Sequence, residues 1–410
     1  MQNIIIDQPY EFVPPCRGLF WPMLLKPLLP VYLRRTHGVE EVELIGVERL
    51  QKSIKAGHGV MITPNHCRPP DPMVLAHLGY AVGAPFHTMA SWHLFKQSAV
   101  QTWLLRRAGA FSVYREGMDR EALKCAVQIL VEAKRPLVLF PEGVISRTND
   151  HVNHLMDGTV FIARNAAKQR AADGGTGKVV IHPTAIRYFF EGNLEEALIC
   201  ALEKIEHRLS WRPQSSLSLT ERIVKVGEAL LMLKEMEYFG GPKTGDLRAR
   251  LTALIDHLLD PLEIEWLKGK RNDNVVTRVK NLRAAMLPEL VAGSVDEAER
   301  ARRWRQLADI YLAQQLFFYP PGYFSPQPTP ERLLETVERF EEDLTDQAPL
   351  HHPLRAVIEV GEAIEVSPIR ERGVETDPIM ARIRSELEAM LVGLASRRRI
   401  GVKPGEVLER

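Results

Sequence analysis

From about residue 41 to 190, short apolar runs alternate with stretches of helical period. Residues 41–45 set Val42 and Leu44 against Glu41 and Glu43, the two-residue alternation of a strand, and 46–56 read as a short helix closed by Gly57. Residues 60–62 are a continuous apolar run, a buried strand that stops at Thr63-Pro64. Residues 73–77 are helical, and 85–89 begin a further strand. Residues 90–108 have helical spacing with Trp92, Phe95, Trp103 and Leu104 apolar, aromatics that more often fill a core than hold a ligand. Residues 109–115, 136–140 and 179–181 are strands, the last ending at His182-Pro183-Thr184, with helices over 121–133 and 158–169 between them. This alternation predicts an α/β fold: a mostly parallel sheet flanked by helices.

After Phe190 the texture is helical, over 194–209, 219–238, 247–259, 261–268, 275–286 and 296–315. Pro320, Pro321, Pro326, Pro328 and Pro330 mark a loop before a helix at 331–346. A strand then returns at 355–366, with a closing helix at about 378–397. Mixed charges along the helical half predict solvated helix faces.

Composition narrows the picture. The 410 residues are 45% hydrophobic and 26% charged with a formal charge of +1, enough for a large domain and a second unit. So balanced a charge gives no overall attraction to nucleic acid, and no nucleic acid partner is expected. Four scattered cysteines, Cys16, Cys67, Cys125 and Cys200, form no C-x-x-C pair and predict reduced thiols in a cytosolic setting. The first fifteen residues carry Asp7 and Glu11 and read as no secretory signal. The apolar cluster at 19–33 is broken by Pro22, Lys26, Pro27 and Pro30, too interrupted to span a bilayer. Arg17, Lys26, Arg34 and Arg35 around Phe20, Trp21 and Tyr32 suit a segment lying on a membrane surface; packing on the protein's own core fits equally well. The basic tail, Arg397 to Arg399 with Lys403, reads as a solvated terminus before a lipid contact.

Polar residues gather at strand ends: Asn65 and His66, Arg115, Glu142, and His182 to Thr184. Strand ends are where α/β sheets hold their chemistry. Four residues separate His66 from Asp71, and Pro69 and Pro70 restrict that loop, so the carboxylate can fold back onto the imidazole. A carboxylate on one ring nitrogen fixes the tautomer and raises the basicity of the other, which can then take a proton from a hydroxyl near neutral pH. Among 13 histidines a lone His-x-x-x-x-Asp arises by chance; the preceding strand and the ordered stretches downstream give this one weight. Cys67 beside it reads as a small filler rather than a nucleophile. Gly174-Gly-Thr-Gly-Lys178 has Ala172 at the first glycine of a phosphate loop and Val179 after the lysine, and is a loose turn. No Gly-x-Ser-x-Gly elbow occurs, and neither His151 with His154 nor His351 with His352 has a second ligand pair at metal spacing, so no metal is expected.

Asn65-His66-x-x-x-x-Asp71, Gly109 to Arg115, Phe140-Pro-Glu-Gly143 and the strand running into Pro183, in that order, resemble the glycerolipid acyltransferases typified by lysophosphatidate acyltransferase. The resemblance implies an O-acyltransferase like those acting on 1-acylglycerol-3-phosphate. It makes His66 the general base, Asp71 its orienting carboxylate, and Asn65, Arg115, Glu142, Gly143 and Arg147 substrate-binding residues. It also implies an acyl thioester of coenzyme A or acyl carrier protein as co-substrate with no other cofactor, a membrane lipid acceptor, and peripheral attachment to the cytoplasmic face of a membrane. A positioned hydroxyl meeting an activated thioester needs no covalent enzyme nucleophile. The planar guanidinium of Arg115 suits phosphate oxygens, its other reading being an ion pair with Glu116 or Asp119; for Glu142 the other reading is a cap.

Two departures bear on the acceptor. Relatives commonly continue Glu-Gly with Thr-Arg, whereas this chain has Val144-Ile145 and reaches an arginine only at Arg147; where relatives often carry a lysine before the next helix's glycine, it has Met156-Asp157-Gly158. Lysophosphatidate, another lysophospholipid, an amino-lipid or another hydroxyl acceptor all stay open. A non-catalytic lipid-binding or scaffolding protein that keeps the fold is the alternative. The run 355–366 resembles the family's closing strand, which implies an organisation of 1–36 as membrane-surface segment, 37–192 and 352–410 as one interrupted acyltransferase domain, and 193–351 as a helical insertion. A separate helical domain that ends in a strand is the other arrangement.

Overall fold

The computed structural model describes residues 8–174, 177–272, 274–319, 328–347, 349–369 and 377–399. The sequence-predicted loop at Pro320, Pro321 and Pro326, and Lys403 of the tail, lie outside them. The chain divides into two compact units, one of Tyr10–Glu191 with Leu350–Arg399, the other chiefly Gly192–Pro349.

The first unit runs α1 (Phe20–Leu25), a 3-10 turn, α2 (Leu29–His37), β1 (Val39–Ile45), α3 (Val47–Lys55), β2 (Gly59–Pro64), α4 (Asp71–Ala81), β3 (His87–Ser91), α5 (His93–Lys96), α6 (Ala99–Ala108), β4 (Ala110–Val113), α7 (Arg120–Glu132), β5 (Leu137–Val138), α8 (Gly158–Ala172) and β6 (Val179–Phe190). The second holds α9 (Leu194–Arg208), α10 (Leu219–Phe239), α11 (Leu247–Leu267), α12 (Val275–Val291), α13 (Glu297–Phe317) and α14 (Pro330–Thr345). The chain then returns to the first unit as β7 (Leu354–Val360), β8 (Ile364–Glu365) and α15 (Pro378–Leu394).

The strands make one mixed, mostly parallel sheet in the order β1-β7-β6-β2-β5-β3-β4, with β8 on β6. β2 to β6 all run the same way, and β7 and β1 run against them. The ends of β2, β3, β4 and β5 therefore open on one edge. Apolar residues of β2, β5, β6, α7, α8 and α15 share one core, among them Met61, Leu130, Leu137, Ile181, Ala163 and Leu387.

The structure corrects several boundaries. The strand read as 179–181 is twelve residues long and passes straight through Pro183. β6 changes antiparallel neighbours there, from β8 at Val180 and Ile181 to β7 from Thr184 onward, so the proline's missing N–H breaks no rung. His182 is thus buried in mid-strand, bonded to Ser53 Oγ and Gly361 O, and is not a strand-end polar residue. The helix read over 90–108 is divided: β3 takes its start, and Ser98 caps α6 by accepting from the Gln101 N–H. β5 is only two residues, because Phe140 leaves the sheet for the His66 ring. Pro261 does not break α11, nor does Pro288 end α12; Leu258, Leu259 and Leu262, and Met286, Leu287 and Leu290, are buried on both sides of the two prolines, so continuing the helix buries more than one lost hydrogen bond forfeits. The basic tail is not simply solvated: Arg397 pairs with Glu43 and Arg399 with Glu41, both on β1.

In the helical unit a carboxylate near the end of one helix meets an arginine near the start of the next: Glu206 with Arg222, Glu235 with Arg250, Glu263 with Arg278 and Glu289 with Arg303. In α10, α11 and α12 that arginine is the fourth helical residue, behind the caps Ser218, Asp246 and Asn274.

Candidate active site

β2 ends at Pro64, opposite Thr184 of β6, but β6 continues. Two side-chain amides carry its ladder on where backbone stops. Asn65 donates to Ile186 O at 2.9 Å and accepts the Ile186 N–H at 2.7 Å. Asn149 does the same to Tyr188, both at 2.6 Å. Asn65 is fully buried, so its amide fixes the loop on which His66 stands.

His66 Nδ1 and Asp71 Oδ2 lie 2.8 Å apart, the histidine side chain 15% exposed and the aspartate 0%. Asp71 is the first residue of α4, between Pro70 and Pro72, whose fixed φ suits a helix start and whose position places the carboxylate at the positive end of the helix dipole. Its Oδ2 also accepts the Arg68 N–H at 3.0 Å, and its Oδ1 accepts the Tyr188 hydroxyl at 2.6 Å. Cys67 Sγ is buried, 3.9 Å from Oδ1, and the Arg68 guanidinium lies over the Tyr188 ring at 5.7 Å. Since Asp71 occupies Nδ1, Nε2 is the ring nitrogen left to exchange a proton.

The loop after β5 closes the other side. Phe140 stacks on the His66 ring with centroids 4.0 Å apart. Glu142, 1% exposed, accepts the His66 backbone N–H through Oε1 at 2.9 Å, and through Oε2 the backbone and side-chain N–H groups of Asn153 at 3.2 and 3.1 Å. Burial raises its pKa, and these donors oppose the shift. Gly143 has φ 68°, and a Cβ there would meet Met156 Sδ at 2.5 Å, so glycine is favoured on both counts. Ser146 then returns its N–H to His66 O at 2.7 Å, which brings the next residue, the half-buried Arg147 at φ 57°, beside the base loop.

Arg115 is elsewhere. It follows the edge strand β4, separated from β2 by β3 and β5, and among the described residues no hydrogen bond ties it to this group. Its charge and, more strongly, burial push His93 down to about 4. Asp119, one of its candidate partners, instead caps α7 and accepts from Tyr10 and the Tyr114 N–H.

Asn65, His66, Asp71, Glu142, Gly143 and Arg147 thus come together from two loops, one between β2 and α4 and one between β5 and α8. Sequence reasoning missed Tyr188, Asn149, Asn153 and Phe140. The signal for Tyr188 was a hydroxyl within the run 185–190, apolar but for Arg187, obscured by ending the strand at Thr184.

Comparison with curated proteins gave no match. Residues 41–187, which contain all of these residues except Tyr188, match the family model described as Acyltransferase, a family whose chemistry is acyl transfer. That segment, less than half of the chain, is similar to the acyltransferase family.

Proposed function

We propose that the chain moves a fatty acyl group from a thioester of coenzyme A or acyl carrier protein to the hydroxyl of a lysophosphatidate- or lysophospholipid-type acceptor, with His66 as general base. The observation that carries this reading is the 2.8 Å bond from His66 Nδ1 to a fully buried Asp71, which leaves Nε2 for the acceptor. Nε2 takes the hydroxyl proton as the oxygen adds to the thioester carbonyl. The C–S bond then breaks, and the thiolate leaves with the proton returned by the imidazolium. Asp71 stays ionised and stabilises that imidazolium. Arg147, which follows the Ser146 that bonds His66 O, is the cation we assign to an acceptor phosphate, a task its guanidinium suits.

Peripheral attachment to the cytoplasmic face of a membrane belongs to the same proposal. Phe20 and Val100 are each 69% exposed, and Leu28 and Trp103 add apolar surface around the Trp21–Trp103 contact, whose rings are 4.8 Å apart. Arg107 lies over both indoles, and no acidic residue occurs from Phe12 to Val39 or from His87 to Arg115. Apolar bulk, interfacial aromatics and cations without carboxylates suit an anionic lipid surface. No helix among the described residues is long and apolar enough to cross a membrane.

The test is transfer from labelled thioesters to a panel of lysolipids carried in anionic or zwitterionic vesicles, comparing the protein with His66→Ala. The expected result is transfer with the protein on anionic vesicles and none with the variant, at an unchanged melting temperature. Equal transfer by both would remove His66 as base. No transfer by either, across donors and acceptors, would favour lipid binding without catalysis.

A further inference from the structure

Asp71 has two carboxylate oxygens and only one faces His66. The other, Oδ1, accepts the Tyr188 hydroxyl at 2.6 Å, and both groups are almost entirely shielded from water. We propose that Tyr188 is a positioning residue of the base, a third member that holds Asp71 in the rotamer presenting Oδ2 to His66. The inference rests on the base reading above and extends it to a residue on β6.

Three observations support it. Tyr188 is not loosely placed: Asn149 clamps its backbone N–H and carbonyl, and β6 pairs it with Ala356 of β7. Its hydroxyl remains a donor across the working pH range, because burial and then the Asp71 charge hold its pKa well above the usual tyrosine value. The bond also has chemical consequences beyond packing. A phenol donating to a carboxylate draws charge from it, so the carboxylate competes less for the imidazole proton and stays ionised while the imidazolium forms. Among the described residues, the titratable and charged groups around the pair include Cys67 and Arg68 of the same loop, Glu142 after β5 and Tyr188 itself, with Arg147 following the Ser146 that bonds His66 O.

The decisive variant is Tyr188→Phe, which keeps the ring and deletes the donor. The expected result is a kcat lower by about tenfold or more, from loosened orientation, with KM for donor and acceptor unchanged. With one donor fewer, Asp71 is more basic and stabilises the imidazolium more, so the acid limb of kcat/KM moves to higher pH, as does the His66 imidazole titration followed by NMR without substrate. In an Asp71→Asn background the same change should add almost nothing, since the residues act as one unit. If Tyr188→Phe does not fold, Asn149→Ala, which deletes both clamp bonds but keeps the Tyr188 hydroxyl, should move the limb in the same direction by less. Wild-type kcat and pH profile in a folded Tyr188→Phe protein, with His66→Ala inactive, would overturn the role of Tyr188 alone. Full activity in His66→Ala would instead remove the base reading beneath it.

Discussion

Replacing Glu142 by glutamine separates two tasks for this carboxylate: contacting the acceptor, as family resemblance implies, or holding the base in place, as its burial favours. All three of its partners are donors, the His66 N–H on one oxygen and the two Asn153 groups on the other. A carboxamide of the same shape has one oxygen and one NH2. Turned either way, it sets an NH2 against at least one buried N–H. Leaving a buried donor unsatisfied costs about 1–3 kcal/mol, so Glu142→Gln should lose roughly 2 kcal/mol of stability. At about 2–4 °C per kcal/mol for a unit of this size, the melting temperature of the catalytic unit should fall by roughly 4–8 °C. The best rotamer keeps the Asn153 pair and releases the His66 backbone, so kcat should fall by about tenfold or more while KM for the acceptor stays put. Steady-state kinetics over a range of acceptor concentrations, beside a thermal melt, reads both numbers. A higher KM at unchanged kcat would mean that the carboxylate touches the acceptor, and an unchanged melt would mean that the three bonds are not its task.

Two further changes probe the frame around the site. Gly143→Ala combines a left-handed φ of 68° with a Cβ 2.5 Å from Met156 Sδ, and the backbone part alone costs about 1–2 kcal/mol. Met156→Ala should therefore restore only part of the lost urea midpoint; full restoration would show that the contact, not the φ, is what demands glycine. His87, bonded to Gly109 O, is pushed from 6.5 down to about 4 by burial first and by the Arg135 charge next. A depressed folded value favours the neutral ring, so its stability is fully present above pH 6.5 and declines as pH falls through 4. The loss by pH 4 should reach about 3 kcal/mol, at 1.36 kcal/mol per unit. His87→Gln should flatten that part of the pH–stability curve, and parallel curves would sink the assignment.

What could be read in the sequence was local. Val60 to Ile62, the proline-bounded turn and the four-residue gap to Asp71 are neighbours along the chain, so pattern alone located β2 and the loop, while placing the start of α4 two residues late, at Met73 rather than Asp71. Glycine at 143 was equally legible, because a turn residue carries its own conformational requirement. The remainder depends on long-range pairing. Tyr188 reaches Asp71 only because β6 outruns β2, and the run through Pro183 was cut short by a rule that holds for strands with full ladders on both sides. Asn65 reads the same in sequence whether it binds a ligand or replaces a backbone rung; only the position of Ile186 decides. The glutamate–arginine pairs linking successive helices of the second unit were invisible for the same reason, since charges on amphipathic helices look solvated until their partners are known.

The substitution of Val144-Ile145 for the family's more usual Thr-Arg takes on a specific physical meaning in this loop. Val144 is buried, so the residue after the glycine turn points an apolar side chain inward, a position a threonine could share but which places no cation. The chain needs two more residues before Ser146 returns its N–H to His66 O, and Arg147 follows at once. The arginine is therefore displaced along the chain to the residue that follows the backbone bond to His66. Arg115, by contrast, stands at the end of the edge strand, beyond β5 and β3. If one arginine governs selection for a phosphate-bearing acceptor, geometry favours Arg147, so Arg147→Ala should raise KM for phosphorylated acceptors well above that for neutral ones, while Arg115→Ala should not discriminate between them. The reverse ranking would mean that the acceptor reaches across the sheet edge, with its headgroup on β4 and only its hydroxyl at His66.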